Sequence, residues 1–256
     1  MRRFVLAVVA CIAGLPGFAR AETLVASVSR SRIDITSNFT GADLAVFGSV
    51  ERDAASIARA TAYDLVVTIR GPRGLVTVRE KKHIGPFWLN ADARKYIATP
   101  SYIAVLSNRP LAEIVSPEFA TKLRIGVDNL VTAQGDKRWR IDEEEPQFRS
   151  ALLQIRRAQG LFSEHPASVE WLTPTLFRAS VHMPGIAPLG AYDVEAAVFS
   201  DGSQLARTTL SFTVVKSGSE ASVAQAAREH PLLYGLAAVG LALLVGWLAS
   251  VIFRRD

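Results

Sequence analysis

The chain has 256 residues, 49% of them hydrophobic, and a formal charge of +5. Three of the positive charges (Arg2, Arg3 and Arg20) lie in the N-terminal segment, and Arg254-Arg255-Asp256 adds one more at the far end. The stretch between is close to neutral, which excludes the clustered positive surplus of a nucleic-acid-binding domain. The one cysteine, Cys11, also sits in the N-terminal segment, so the remainder has no disulfide, thiolate metal site or cysteine nucleophile.

The chain opens as an export signal. Arg2 and Arg3 form a cationic start, and Phe4 to Leu15 is apolar but shorter than the roughly 20 residues a helical span needs. Ala19-Arg20-Ala21 is a small-x-small cleavage pattern, so residues 1–21 are expected to be a signal peptide. A competing reading, with Val8-Val9-Ala10-Cys11 as a lipoprotein box and a lipid on Cys11, leaves a very short apolar region before the cysteine.

The first block after it is strand-like. Thr23–Ser29 and Arg32–Thr36 are rich in β-formers, residues 38–41 break the pattern, and Asp43–Phe47 resumes it. Tyr63–Ile69 is a strongly apolar run, Gly71-Pro72-Arg73-Gly74 is expected to be a turn, and Leu75–Val78 and Tyr102–Leu106 follow as strands. The spacing predicts an immunoglobulin-like antiparallel sandwich over residues 22–115.

The period then changes. Phe119, Leu123, Val127 and Leu130 recur at helical spacing after Pro117. A second helix is signalled by Asp142 or Glu143 as cap and Pro146 in the first turn. Phe148, Ala151, Leu152 and Ile155 lie on one face, and Gly160 follows as a left-handed cap. Glu143 to Glu145 sit at the positive end of this helix dipole, Arg156 and Arg157 at the negative end; the dipole accounts for the acidic cluster without a metal. Ser168–Leu172, Leu176–His182, Tyr192–Phe199 and Leu210–Val215 return to strands, with turns at Pro184-Gly185 and Pro188–Gly190 and a hairpin at Asp201-Gly202. Residues 116–216 are thus expected to form a helix-plus-β module with an immunoglobulin-like unit. The overall class is mainly β with an α insertion (α+β). The sequence leaves open whether the two β blocks are separate domains.

Residues 217–230 read as a juxtamembrane segment. Leu232 to Phe253 carries no charge and is long enough to span a bilayer, giving a transmembrane helix over residues 231–253. Tyr234 and Trp247 suit the interfaces, Gly235, Gly240 and Gly246 permit close helix contact, and Arg254-Arg255 mark residues 254–256 as a cytoplasmic tail. The expected location is the bacterial inner membrane, single-pass, with the bulk in the periplasm. The bilayer itself is the first partner.

The chemistry-bearing motifs are few. No Gly-x-Ser-x-Gly, phosphate-cradling Gly-rich loop or His-Glu-x-x-His is present, and His83, His165, His182 and His230 are scattered, so no catalytic, cofactor or metal residues are assigned and an enzyme is not expected. His182-Met183 is a weak copper-type pair against the plainer reading of a strand end. The sharpest feature is residues 70–95, where Arg70, Arg73, Arg79, Lys81, Lys82, Arg94 and Lys95 face only Glu80 and Asp92. Arg79, Lys81, Lys82, His83, Trp88 and Asn90 are the candidate anion- or partner-binding residues, set against a solvated edge strand whose lysines block pairing.

The order of short motifs resembles a known family. Ser37-Asn-Phe-Thr-Gly41, Phe47-Gly48, Tyr63-Asp64, Gly71-Pro72, Val78-Arg79-Glu-Lys81, Trp88-Leu-Asn90, Arg109-Pro-Leu111, Leu176-Phe-Arg178, Pro188-Leu-Gly190-Ala-Tyr192, Leu233-Tyr-Gly235, Gly246-Trp-Leu-Ala249 and Phe253-Arg-Arg255 carry the resemblance. Together they are similar to the alphaproteobacterial transmembrane protein family, with Pro86-Phe87 standing where the family pattern has Gly-Ile. The resemblance implies a periplasmic accessory protein of the inner membrane, associated with sulfite-exporter-type permeases, and carries over no catalytic residue. Two readings follow: a non-enzymatic accessory that assists a transporter, or a binder of small oxyanions through the Arg79–Trp88 region.

Overall fold

The structure, a computed structural model, describes residues 22–36, 39–51, 62–131, 145–218 and 227–252. The expected signal peptide with Cys11, the acidic residues 142–144 and the tail 254–256 lie outside the described residues, as do 219–226 of the juxtamembrane segment. The described part is mostly β, with few helices and one C-terminal apolar helix.

Twelve strands are described: β1 (Thr23–Val28), β2 (Arg32–Ile35), β3 (Gly41–Glu51), β4 (Asp64–Arg70), β5 (Arg73–Ile84), β6 (Phe87–Pro100), β7 (Ile103–Ser107), β8 (Phe162–Pro166), β9 (Val169–Trp171), β10 (Leu176–Pro184), β11 (Gly190–Ser200) and β12 (Ser203–Lys216). One sheet has the order β1-β3-β10-β9, a second β2-β12-β11-β4-β7-β8, and β5-β6 form a separate two-stranded ribbon. The first and last β blocks of the sequence therefore interleave: β3 pairs with β10 and β4 with β11. The division of the chain near residue 115 is one of sequence, not of sheets.

The burial patterns explain the layers. β10 alternates strictly, with Phe177, Ala179, Val181 and Met183 buried and the residues between them exposed, as a sheet with one wet face requires. β4 and β7 are buried at nearly every position, so their sheet is covered on both sides. The first side meets the β1-β3-β10-β9 sheet in one apolar core. The second is covered by α1 (Leu111–Ile114), α2 (Pro117–Leu123), α3 (Val127–Leu130) and α4 (Glu145–Ala158), from which Ile114, Val127, Phe148, Leu152 and Leu153 enter the core.

Two helix expectations need correction. The Phe119–Leu130 spacing does not make one helix: Arg124 caps α2 at φ +54 and Gly126 follows at φ +91, which breaks the turn before α3. In α4, Leu153 is buried while Ile155 is exposed, so the buried stripe is Phe148, Leu152 and Leu153. The Gly160 cap is present at φ +69, and its neighbour Leu161 donates back to the Arg156 carbonyl. Asp201 and Gly202, both at positive φ, close the β11–β12 hairpin as a primed turn.

At the start of β11 the Tyr192 hydroxyl donates to the Pro188 carbonyl four residues earlier, at 2.7 Å. This is the tyrosine-corner geometry that ties a strand to the loop before it. The ring stacks on Phe212 and tilts against Tyr102.

The last helix, α5 (Pro231–Ile252), has mean hydropathy 2.2 and buries nothing against the β body. At 1.5 Å per residue it is about 33 Å long, which matches a hydrocarbon core of about 30 Å. Among the described residues it is the one helix long and apolar enough to cross a membrane, as fits a single-pass membrane protein.

A basic two-stranded arm as the candidate functional site

The candidate residues all fall on β5 and β6, and how these strands leave the body sets the geometry. Arg70 of β4 pairs with Ile103 of β7. Beyond that, the Gly71 N–H donates to the Tyr102 carbonyl at 2.8 Å and the Ser101 N–H to the Pro72 carbonyl at 2.9 Å, after which Arg73 pairs with Pro100. The pairing of β4 with β7 thus runs on without reversal into β5 with β6. Gly71–Gly74 is not the expected turn; it is the place where a strand pair leaves its sheet and continues as an arm. The chain reverses at Gly85-Pro86, with Gly85 at φ +61. Twelve residues of β5 at about 3.3 Å each give an arm of at most about 40 Å.

The base is fixed by close contacts. A Cβ on Gly71 would meet the Tyr102 side chain at 2.9 Å, and one on Gly190 would meet the Pro72 ring at 3.0 Å. The near half is braced by α4, which packs on β5, and the Arg94 guanidinium lies 5.3 Å from the centre of the Phe148 ring. Val76, Val78 and Tyr96 on the same side of the ribbon turn toward the core.

Register then sorts the candidate residues onto faces. Val78 pairs with Arg94, Arg79 with Ala93, Lys81 with Asn90 and His83 with Trp88, with an extra residue at Ala91. Opposed residues share a face and neighbours alternate. Arg79, Lys81, His83, Trp88, Asn90 and Lys95 therefore share one face of the ribbon, and Arg79 and Lys81 also line, with Gln147, Phe148 and Ala151 of α4, an open cavity of about 350 Å³. No acidic residue shares that face. Arg79, Lys81 and Lys95 have no acidic partner among the described residues. The His83 ring meets the edge of Trp88 at 5.1 Å.

Lys82 is the exception among the candidates. It lies on the opposite face, bonded to Asp92 at 2.7 Å and near Glu80 at 3.5 Å. The hydrogen bond and the charge of Lys82 hold the Asp92 carboxyl below the usual carboxylate range, and the same bond raises the Lys82 ammonium above its ordinary value. Its charge is compensated.

Sequence reasoning missed the apolar tip. Phe87 is 67% exposed, Trp88 68% and Leu89 50%. It also missed β6 as a strand, although Gly85-Pro86 between two runs containing β-formers is a hairpin signal.

A second basic feature lies at the base of the arm. Arg70, Arg73 and Arg124, with Ile97, Thr99 and Leu130, line a cavity of about 50 Å³. Arg70 is bonded to Glu195, which also receives Arg207 at 3.1 Å; the buried Arg70 Nε has no partner among the described residues.

Among the described residues no cluster of His, Cys, Asp and Glu gathers around the other histidines. His182 Nδ1 lies 2.7 Å from Asp43 on an exposed sheet face. His182 is exposed and Met183 buried, because strand neighbours point to opposite faces, so the two do not converge on one ion. Glu143 and Glu144 fall outside the described residues.

A family model described as "Putative transmembrane protein (Alph_Pro_TM)" matches residues 23–255. The chain belongs to this family. The match runs from the first residue of β1 past the end of α5, so sheets, arm, helices and anchor all lie inside the Alph_Pro_TM unit. No curated protein and no solved structure matches.

Proposed function

We propose that this Alph_Pro_TM protein is a non-enzymatic accessory of the bacterial inner membrane. In this reading residues 1–21 direct export, the β body is immunoglobulin-like and periplasmic, α5 spans, and Arg254-Arg255 stay in the cytoplasm. The tyrosine corner supports the immunoglobulin-like assignment, and the basic flank supports the orientation. The arm is the docking element, and a membrane permease is the partner; the family resemblance suggests the sulfite-exporter type.

The observation that carries the reading is the open, one-sign face of Arg79, Lys81 and Lys95 on a braced projection. Such a face, exposed along its length, suits another macromolecule. The test is crosslinking in membranes of the source bacterium, comparing wild type with Arg79→Ala/Lys81→Ala/Lys95→Ala. Recovery of a multi-span permease with wild type and its loss with the triple variant supports the reading. Recovery of nothing above background refutes it.

The oxyanion reading has two places to look: the open cavity of about 350 Å³ that Arg79 and Lys81 line with α4, and the base of the arm. The Arg70, Arg73 and Arg124 cavity is small and basic, and the buried Arg70 Nε has no partner among the described residues. Calorimetry with sulfate and phosphate tests it: binding by wild type that is lost in Arg73→Ala/Arg124→Ala supports it, and no heat with either anion removes it.

A further inference from the structure

We infer that the distal arm is a second membrane contact, whose Phe87-Trp88-Leu89 tip and open basic face rest on anionic phospholipid headgroups of the bilayer that α5 spans. The inference rests on the reading of the arm as a contact element and names the surface its tip meets.

Direction is the first argument. β11 runs antiparallel to β4, with Asp193 opposite Arg70, and antiparallel to β12, with Gly190 opposite Val214. β4 and β12 are therefore parallel in space. The arm leaves the sheet beyond Arg70, and the chain leaves it toward α5 beyond Lys216, at the same end. Pro72, in the first residues of the arm, packs against Gly190, the partner of Val214.

Reach is the second. The arm extends at most about 40 Å from Arg73. Residues 217–230 connect the sheet to α5; with 227–229 helical, their reach is bounded at roughly 45 Å. The tether is long enough to let the tip come down on the surface in which the anchor is embedded.

Chemistry is the third. Phe87, Trp88 and Leu89 are each at least half exposed at the end of the ribbon, Trp88 on the basic face and Phe87 and Leu89 on the other. An aromatic side chain with a polar edge, flanked by apolar ones, partitions to the headgroup level. Behind this tip stand Arg79, Lys81 and Lys95 with no acidic partner among the described residues, and His83 beside Trp88. Their long stems let the charged ends sit among phosphates while the tip enters the acyl boundary. Each cation near an anionic surface strengthens association about fivefold. The only acids on the distal arm, Glu80 and Asp92, lie on the other face and are engaged by Lys82.

The test uses the full chain in nanodiscs, with Cys11→Ser and a fluorophore on Asn90→Cys, which shares the face of Trp88. The discs hold phosphatidylcholine alone or phosphatidylcholine with phosphatidylglycerol, each with a quencher fixed at headgroup depth. Strong quenching with phosphatidylglycerol is expected. It should weaken severalfold without that lipid or in high salt, and be lost in Arg79→Glu/Lys81→Glu/Lys95→Glu and in Phe87→Ser/Trp88→Ser. All five positions are exposed, and unchanged thermal unfolding of each variant shows that the body is intact. No quenching in either lipid, or equal quenching in both, overturns the inference. Because the discs hold no permease, that failure leaves docking to a protein standing; failure of the crosslinking test leaves the lipid contact standing.

Discussion

Replacing Tyr192 by Phe removes one oxygen and tests whether the corner at the foot of the arm is a real fastening. The ring is fully buried, and Phe keeps its stacking on Phe212. What is lost is the 2.7 Å bond to the Pro188 carbonyl. A net contribution near 1 kcal/mol, plus part of the cost of stranding a half-buried carbonyl, gives about 1–2 kcal/mol. For a body of this size that is a fall of roughly 2–8 °C in Tm, measured by circular dichroism in detergent. The pH dependence supplies a second signature. Burial raises the Tyr102 hydroxyl to about 12 and pushes Tyr192 higher still, with the Tyr102 charge adding to the second shift. The folded state holds these protons more tightly than the unfolded chain, whose tyrosines titrate near 10. Their stabilising effect is whole below pH 10 and is lost as pH rises from there toward 12, at about 1.4 kcal/mol per pH unit for each tyrosine. Tyr192→Phe carries one such group fewer, so its stability curve should converge on that of wild type above pH 10. An unchanged neutral-pH midpoint, or a gap that stays constant to pH 12, would refute the assignment of a fastening to this hydroxyl.

Gly190→Ala should destabilise by about 1–3 kcal/mol, since it combines φ +139 with a Cβ 3.0 Å from Pro72; Gly74→Ala, where nothing lies within 4 Å, should change the urea midpoint little. Asp64→Ala removes the carboxylate that accepts from Arg109 Nε at 2.7 Å and from Asn108 at 3.0 Å. Because Arg109 is 45% exposed and can rehydrate, the loss should be about 2 kcal/mol in the same assay. Phe148→Ala should cost about 2–4 kcal/mol and speed hydrogen exchange across β5 and β6 before β3 and β10. Equal protection of both regions would remove α4 as the brace of the arm.

How much of this was readable in advance depended on distance along the chain. β10, with period 2 over Leu176–Met183, and α4, with its apolar stripe and Gly160, are written in local pattern. Asp201-Gly202 is a turn whichever strands it joins, because both residues tolerate positive φ. Gly71-Pro72 misled for a physical reason: Gly and Pro also suit a place where two backbones approach closely, and only the Tyr102 partner, far along the chain, separates that case from a reversal. The same holds for β3 with β10, a pairing set by the shared core. At the candidate site, composition picked out Arg79, Lys81, His83, Trp88 and Asn90, which do share a face. It included Lys82, which does not, and omitted Lys95, which does. Those two depend on register, and register here turns on the extra residue at Ala91.

The plainest alternative for the arm is protection against sheet-to-sheet association. A two-stranded ribbon has unpaired backbone along both edges, and lysines placed there discourage another chain from pairing. That account covers Lys81 and Lys95. It does not cover Phe87, Trp88 and Leu89, because a ribbon protected from association would not end in exposed apolar residues, which invite it. Nor does it explain the bracing by α4 and the close packing of Pro72 on Gly190, which restrain the direction of a part that solubility alone would leave free. Charge along the shaft, apolar side chains at the tip and a buttressed base are three separate features, and a surface met by the open face and the tip together accounts for all three.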